Sequence, residues 1–228
     1  MKTLKEQCRT KDLKVGHFIV EFVTPGIGHI CRNAGCDFVF LDMEHSAFGF
    51  DVVKAGLRYF EAAGVPVMVR APSKETHHIA RTLDIGAEGI VLPMVNDAQE
   101  ARALIDAMKY APAGNRGVAL GIAHDDYRAP TDVMATLSAA NERTTFIPLI
   151  ETASGVENVD VAADEEGDAQ PGFVNRQILQ VVHRTDVHLV EHGAHLTRPH
   201  GPCEIVAHVS GLPVDEGELS GLLPERHL

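Results

Sequence analysis

The 228 residues are 45% hydrophobic and 23% charged, the proportions of a globular protein able to bury a core. Lys and Arg total 20 against 32 Asp and Glu, so the net charge is −12. That balance argues against sequence-independent binding of nucleic acid and against docking on an anionic membrane. The start, MKTLKEQCRTKDLK, is charged throughout and lacks the apolar region of a signal peptide. No apolar run approaches the roughly 18 residues of a membrane span. Cys8, Cys31, Cys36 and Cys203 form no CxxC pair and read as free thiols. The expectation is a reduced, cytoplasmic protein.

Residues 1–14 read as a polar amphipathic helix. A strand follows over 17–23, closed by the turn Thr24-Pro25-Gly26. Residues 27–35 read as a short helix ending at Gly35. Phe38-Val39-Phe40-Leu41 has the aromatic and β-branched content of a buried strand, and it runs straight into Asp42, Glu44, His45 and Ser46. Glu44 or Ser46 alone reads as a solvated helix cap; Asp42 with His45 reads as chemistry. Over 50–63, Val53, Leu57 and Phe60 share one helical face, stopped at Gly64. The next strand, 65–70, ends in Arg70.

Ser73 is an expected N-cap for a helix over 74–84. Residues 90–93 form another buried strand, and Asp97 with Glu100 has capping-box spacing for the helix after it. Residues 110–130 are rich in Gly and Pro and read as a long loop of the functional kind. In it, Gly117 lets the chain approach the strand ends. A helix over 131–143 and a strand over 145–150 follow, and the strand ends in Glu151. Pro66 and Pro148 place their strands at starts or rims rather than in a sheet centre.

Strands alternate with helices throughout, the βαβ pattern of a parallel sheet or barrel. Three strands end in ionisable groups: Asp42 with His45, Arg70, and Glu151. A (β/α)₈ barrel gathers its strand C-termini at one mouth, which brings a base, a cation and a carboxylate together.

LDMEH at 41–45, VMVRAP at 67–72, LDIGAEGIVLPMV at 83–95, KYAPAGNRG at 109–117 and IPLIET at 147–152 resemble, in that order, the HpcH/HpaI aldolase family. The resemblance covers residues 10–163. It implies an α/β fold, a (β/α)₈ TIM barrel of the phosphoenolpyruvate/pyruvate type, incomplete or atypical after residue 163. It also implies a class II aldolase that uses Mg²⁺ or Mn²⁺ to cleave a 4-hydroxy-2-oxo acid to pyruvate and an aldehyde. One such substrate class is 2,4-dihydroxyhept-2-ene-1,7-dioate, in aromatic compound catabolism.

By the same resemblance His45 is the base, Arg70 the enolate stabiliser, Asp84 the partner that raises the basicity of the histidine, and Glu151 a metal ligand. Asp42 is a candidate to support them from behind. The chemistry agrees. Breaking a carbon–carbon bond beside a ketone leaves an enolate, which needs positive charge at its oxygen. Histidine changes charge nearest neutral pH and suits the proton transfer. Asp84 precedes its strand and belongs at the far end of the barrel. Contact with His45 would cross subunits and imply a homo-oligomer; alternatively Asp84 only orders the loop at Gly86.

Two departures stand out. Leu149 occupies the position of a substrate-binding glutamine and cannot hydrogen-bond through its side chain. After Ala163 nothing resembles the segment that supplies a second metal carboxylate. No lysine occurs after Lys109, and seven of the 13 histidines fall after Ala163. The division expected is an aldolase-like portion over 1–163 and a His-rich tail over 164–228. Residues 176–190 read as strand or helix, and the chain from 197 onward as loop. Three readings of the tail stand side by side: an aberrant, frameshifted continuation that leaves about five strands; a folded end that closes the barrel differently; and a metal-binding appendage built on His188, His192 and His195. Solvated histidines are the simpler account of that last cluster, because Gly193 weakens the helix it needs.

Two rivals to the aldolase reading remain. One is a lyase of the citrate-lyase β-subunit and malyl-CoA lyase kind. The other is a catalytically impaired remnant that associates with intact subunits. In the aldolase reading the partner is a small 2-oxo acid; dependence on a CoA thioester would favour the lyase.

Overall fold

A computed structural model of the chain describes residues 3–8, 14–164, 179–181 and 205–209. Its elements are α1 (Leu4–Cys8), β1 (Lys14–Ile19), α2 (Ile27–Asn33), β2 (Phe38–Asp42), α3 (Phe50–Ala63), β3 (Val67–Arg70), α4 (Thr76–Asp84), β4 (Gly89–Leu92), α5 (Ala98–Met108), α6 (Val133–Arg143), β5 (Thr145–Pro148), α7 (Ala153–Asp164), β6 (Leu179–Val181) and β7 (Ile205–Val209). A 3₁₀ turn, Ala123–Asp125, punctuates the long loop. Helix α3 stops at Gly64, whose φ of 73° is left-handed, as its glycine requires.

All strand pairs are parallel, and the sheet order is β5-β4-β3-β2-β1-β7-β6. The last strand lies beside the first, as in a barrel, and β6 lies outside it. Among the described residues no strand joins β5 to β6. The architecture is therefore a (β/α)₈-type barrel that is not closed. The described residues hold seven strands, against the about five that the frameshifted reading of the tail leaves, and the expectation of loop from 197 onward is corrected: residues 205–209 are a strand. Lys14 to Phe18 of β1 stand opposite Ile205 to Val209 of β7, so backbone pairing along the edge of β1 overrides a weak local pattern. Strand β6 agrees with the expectation for 176–190. His188, His192 and His195 lie outside the described residues.

Strand β2 is buried on both faces. Phe38 and Phe40 turn inward with Phe18, Met68, Val91, Ile147 and Leu149, and Leu4 of α1 joins them. Val39 and Leu41 turn outward with Val67 and Val69, against Val53, Leu57 and Phe60 of α3. Burying each such side chain contributes about 1.5–3 kcal/mol. Gly16 is required here: a Cβ on it would lie 2.3 Å from the Phe38 ring. At the outer edge of β5, Thr145 and Leu149 donate their N–H groups toward β4. Alternation then puts Pro148, which has no N–H, on the open edge, where it blunts strand addition.

At the N-terminal ends of the strands Lys109 is 3% exposed, and its ammonium donates to the carbonyls of Asn141 (2.5 Å) and Thr144 (2.7 Å). Burial lowers its pKa from 10.5 to about 8. Below about pH 8 the folded and unfolded chains both carry the charge, and the folded state bears the cost of burying it. Between about 8 and 10.5 the unfolded chain holds the extra proton, so stability rises with pH. The expected gain is about 3 kcal/mol. Urea midpoints measured across that range should rise in the parent, and Lys109→Met should remove this component.

Candidate active site

Period-two alternation places Phe38, Phe40 and Asp42 on the inner face of β2, and Met68 and Arg70 on that of β3. The register pairs Asp42 with Arg70 directly. Arg70 Nε donates to Asp42 Oδ1 at 2.7 Å and Nη2 to Oδ2 at 2.6 Å, a two-pronged pair on a carboxylate that is 0% exposed. The guanidinium lies 5.7 Å from the centroid of Phe40 and 5.9 Å from that of Phe18, so it caps the aromatic floor. Burial alone would push the Asp42 carboxyl up. Hydrogen bonds from Arg70 and the Glu44 amide, with the Arg70 charge, hold it below its usual value.

Asp42 has a second role. Its carboxylate accepts the backbone N–H of Glu44 (2.9 Å) and of His45 (3.3 Å), which shapes the turn that carries His45. The Ser46 hydroxyl donates to the Asp42 carbonyl and accepts from the Phe48 N–H, so Ser46 builds the same turn. Glu44 Oε2 lies 3.1 Å from Arg70 Nη1 and 3.6 Å from His45 Nε2. Glu44 therefore bridges the arginine and the histidine rather than standing in water. The His45 ring is 70% exposed, open to whatever enters the mouth.

Glu151 follows β5 with the inward parity of Ile147 and Leu149. Its Oε2 accepts the Met94 N–H at 3.0 Å, and its charge, with those of Asp42 and Glu44, raises the pKa of Arg70 against the opposing effect of burial. Leu149 is 7% exposed and packs into the interior cluster, so this position offers apolar contact only.

Asp42, His45, Arg70 and Glu151 thus end three strands at one mouth. Asp84 does not join them. It ends α4, at the entry to β4, where Arg116 Nη2 donates to its Oδ1 at 2.5 Å. Arg116 in turn stacks on Tyr110, 4.5 Å from the ring centroid. Within one chain Asp84 is an ion-pair partner at the opposite end of the barrel. Gly117 meets nothing within 4 Å of a notional Cβ.

The sequence reading passed over Lys74, Met94 and Asn96. Ser73 does not cap α4; Glu75 stands at that position without a side-chain cap, and Ser73 Oγ accepts the Glu75 N–H instead. Asp97 does cap α5, accepting the Glu100 N–H at 2.7 Å. Glu100 does not complete the box on Asp97. It accepts from the Asn96 N–H at 2.9 Å and pairs with Lys74.

A divalent cation of the kind the resemblance implies needs hard oxygen donors. Among the described residues no group of three or more His, Cys, Asp or Glu could hold a metal. Both Asp42 oxygens are engaged, and Glu44 is drawn to Arg70. Glu151, exposed and oriented by a backbone N–H, is the carboxylate that fits. One carboxylate suits Mg²⁺ or Mn²⁺ if water and substrate supply the other oxygens.

A family model described as HpcH/HpaI aldolase/citrate lyase matches residues 19–169. A 4-hydroxy-2-oxovalerate aldolase of Novosphingobium aromaticivorans is 32% identical over 168 residues, 73% of this chain and 62% of that protein. A hydroxypyruvate/pyruvate aldolase of Deinococcus radiodurans is 34% identical over 144 residues, 63% of this chain and 51% of that protein. The crystal structure of an HpcH/HpaI aldolase from Desulfitobacterium hafniense DCB-2 shares the fold, with a TM-score of 0.72 at 23% identity, covering 96% of this chain and 93% of that one. The chain spans about half to three-fifths of the length of the curated relatives it matches.

Proposed function

The chain belongs to the HpcH/HpaI aldolase/citrate lyase family, and from that premise we propose that it is a class II aldolase cleaving a 4-hydroxy-2-oxo acid to pyruvate and an aldehyde. The observation that carries the reading is the buried Asp42–Arg70 pair at the same mouth as His45 and Glu151.

His45 accepts the proton of the 4-hydroxyl group. The bond between C3 and C4 breaks, the aldehyde forms at C4, and the electron pair passes into an enolate with its charge on the C2 oxygen. The proton held on His45 then returns to C3, directly or through water, which gives pyruvate and restores the neutral base. Arginine has five N–H donors in a fixed fork. Asp42 takes two of them and Glu44 faces a third, which leaves one hydrogen on each terminal nitrogen for the enolate oxygen. The clamp holds the fork in place before substrate arrives, as oxyanion stabilisation requires. A Mg²⁺ or Mn²⁺ ion at Glu151 would supply further positive charge against that oxygen when bound. Asp84, if it acts on His45, does so from a neighbouring subunit of a homo-oligomer. Among the described residues no helix is long and apolar enough to cross a membrane, and Cys31 and Cys36 are free thiols, in keeping with a cytoplasmic setting.

The test is release of pyruvate from a generic 4-hydroxy-2-oxo acid by the purified full-length chain. Release with Mn²⁺ that EDTA abolishes is expected. Activity confined to a CoA thioester would move the chain to the malyl-CoA lyase kind. No turnover from folded protein would overturn the aldolase reading and leave an interacting subunit without catalysis.

A further inference from the structure

The β4–α5 loop carries a conformation its sequence does not explain. Met94 is not glycine, yet its φ is 56°. Such a residue persists only where its surroundings hold it, and those surroundings cluster at functional sites. Here both ends of Met94 are held. Its N–H donates to Glu151 Oε2 at 3.0 Å. Its carbonyl accepts from Lys74 Nζ at 3.0 Å and from Asn96 Nδ2 at 3.0 Å.

Behind this stands a network with little slack. Lys74 also pairs with Glu100, and Glu100 accepts from the Asn96 N–H and side-chain amide. Asn96 Oδ1 accepts the Thr152 hydroxyl at 2.6 Å, and its carbonyl accepts from Asn158 at 3.1 Å. Every polar group of Asn96 is thereby engaged, so Asn96 cannot shift to compensate for its neighbour. Three consecutive βα loops, after β3, β4 and β5, meet at one residue, through the two peptide groups that flank it. The hydrogen bond leaving Met94 toward the mouth ends on Glu151.

We propose that Lys74 is a positioning residue for Glu151: by holding the Met94 peptide it aims the carboxylate and sets its affinity for a divalent cation. The inference rests on the aldolase reading of this site. Without Lys74 the Met94 carbonyl keeps only Asn96 as donor, beside the Val95 N–H of the same peptide on the Leu149 carbonyl, and Met94 can relax from its left-handed φ, which turns its own N–H away from Glu151. The Met94 N–H stands directly behind the carboxylate, where partners typically change affinity by about 10- to 100-fold, and Lys74 acts one contact further out, at the lower end of that range.

The test is Mn²⁺ binding by the full-length chain with pyruvate present, read from the electron paramagnetic resonance of free Mn²⁺, together with thermal unfolding without cation. Glu151→Gln should abolish binding. Lys74→Met should weaken it by about 10-fold, the lower end of that range. Lys74→Arg, which keeps a donor to the Met94 carbonyl, should recover most of the affinity. Met94→Gly removes no hydrogen-bonding group but frees the peptide, and should also weaken binding. If the parent and Glu151→Gln bind alike, the metal reading of Glu151 falls and this inference with it. If Glu151→Gln loses binding while Lys74→Met and Met94→Gly match the parent, the inference alone is overturned. A lower unfolding midpoint for Lys74→Met with unchanged Mn²⁺ affinity would likewise reduce Lys74 to a structural residue.

Discussion

Asp42→Ala is expected to destabilise the chain by about 3–5 kcal/mol, the range for leaving one member of a buried ion pair alone. The reason is geometric. The Arg70 side chain is 11% exposed, and its Nε and Nη2 both end on Asp42. Truncation leaves a guanidinium over Phe18 and Phe40 with only Glu44 to face. It also frees the amides of Glu44 and His45, so the turn after β2 loosens in the same stroke. A loss of this size is a large part of an ordinary stability of 5–15 kcal/mol. Urea unfolding of the parent, Asp42→Ala and the double variant Asp42→Leu with Arg70→Met measures it. The double variant should regain most of the stability, because apolar residues of similar volume replace buried ion pairs at little net cost. It should release no pyruvate. An Asp42→Ala chain within about 1 kcal/mol of the parent, the ceiling for exposed pairs, would show that the pair does not hold this end of the barrel together.

His45→Ala should do the reverse, leaving stability intact while removing chemistry. Its side chain is 70% exposed, so truncation removes little buried contact. Loss of a positioned acid–base group costs about 10²- to 10⁴-fold in rate. Pyruvate release per active chain should fall by that factor with the unfolding midpoint unmoved. Undiminished release would take the proton transfer away from His45 and leave Glu44, 3.6 Å from its Nε2, as the group to examine.

The two variants separate what the chain spends on its fold from what it spends on reactivity. Asp42 belongs to both accounts. Read as a sequence, it is one more carboxylate at a strand end, and only a supporting role could be given to it. Its weight comes from standing opposite Arg70 across the β2–β3 register, a relation between residues 28 positions apart.

Other positions divide the same way. Asp84 lies in a motif that is legible, and its place before β4 was rightly read as the far end of the barrel. Its partner was not legible, because Arg116 reaches it from a loop 32 residues away. Lys74, Met94 and Asn96 left almost no mark. The one trace was Glu100 at capping-box spacing, and the side chain turned out to serve Asn96 and Lys74.

By itself the sequence determined the element types up to about residue 163, the succession of strands β1 to β5, the strand-end position of the ionisable groups and the family. These rest on local periodicity, on glycine and proline punctuation, and on motifs a few residues long, all of which act within one element. The tertiary structure decided the rest. It brought one tail strand beside β1 and a second outside that one, made Asp42 the hub of the mouth, sent Asp84 to Arg116 and set Met94 in a left-handed turn. Each of these is fixed by contacts between segments far apart in the chain, where packing and hydrogen bonding outweigh the preferences of any single stretch.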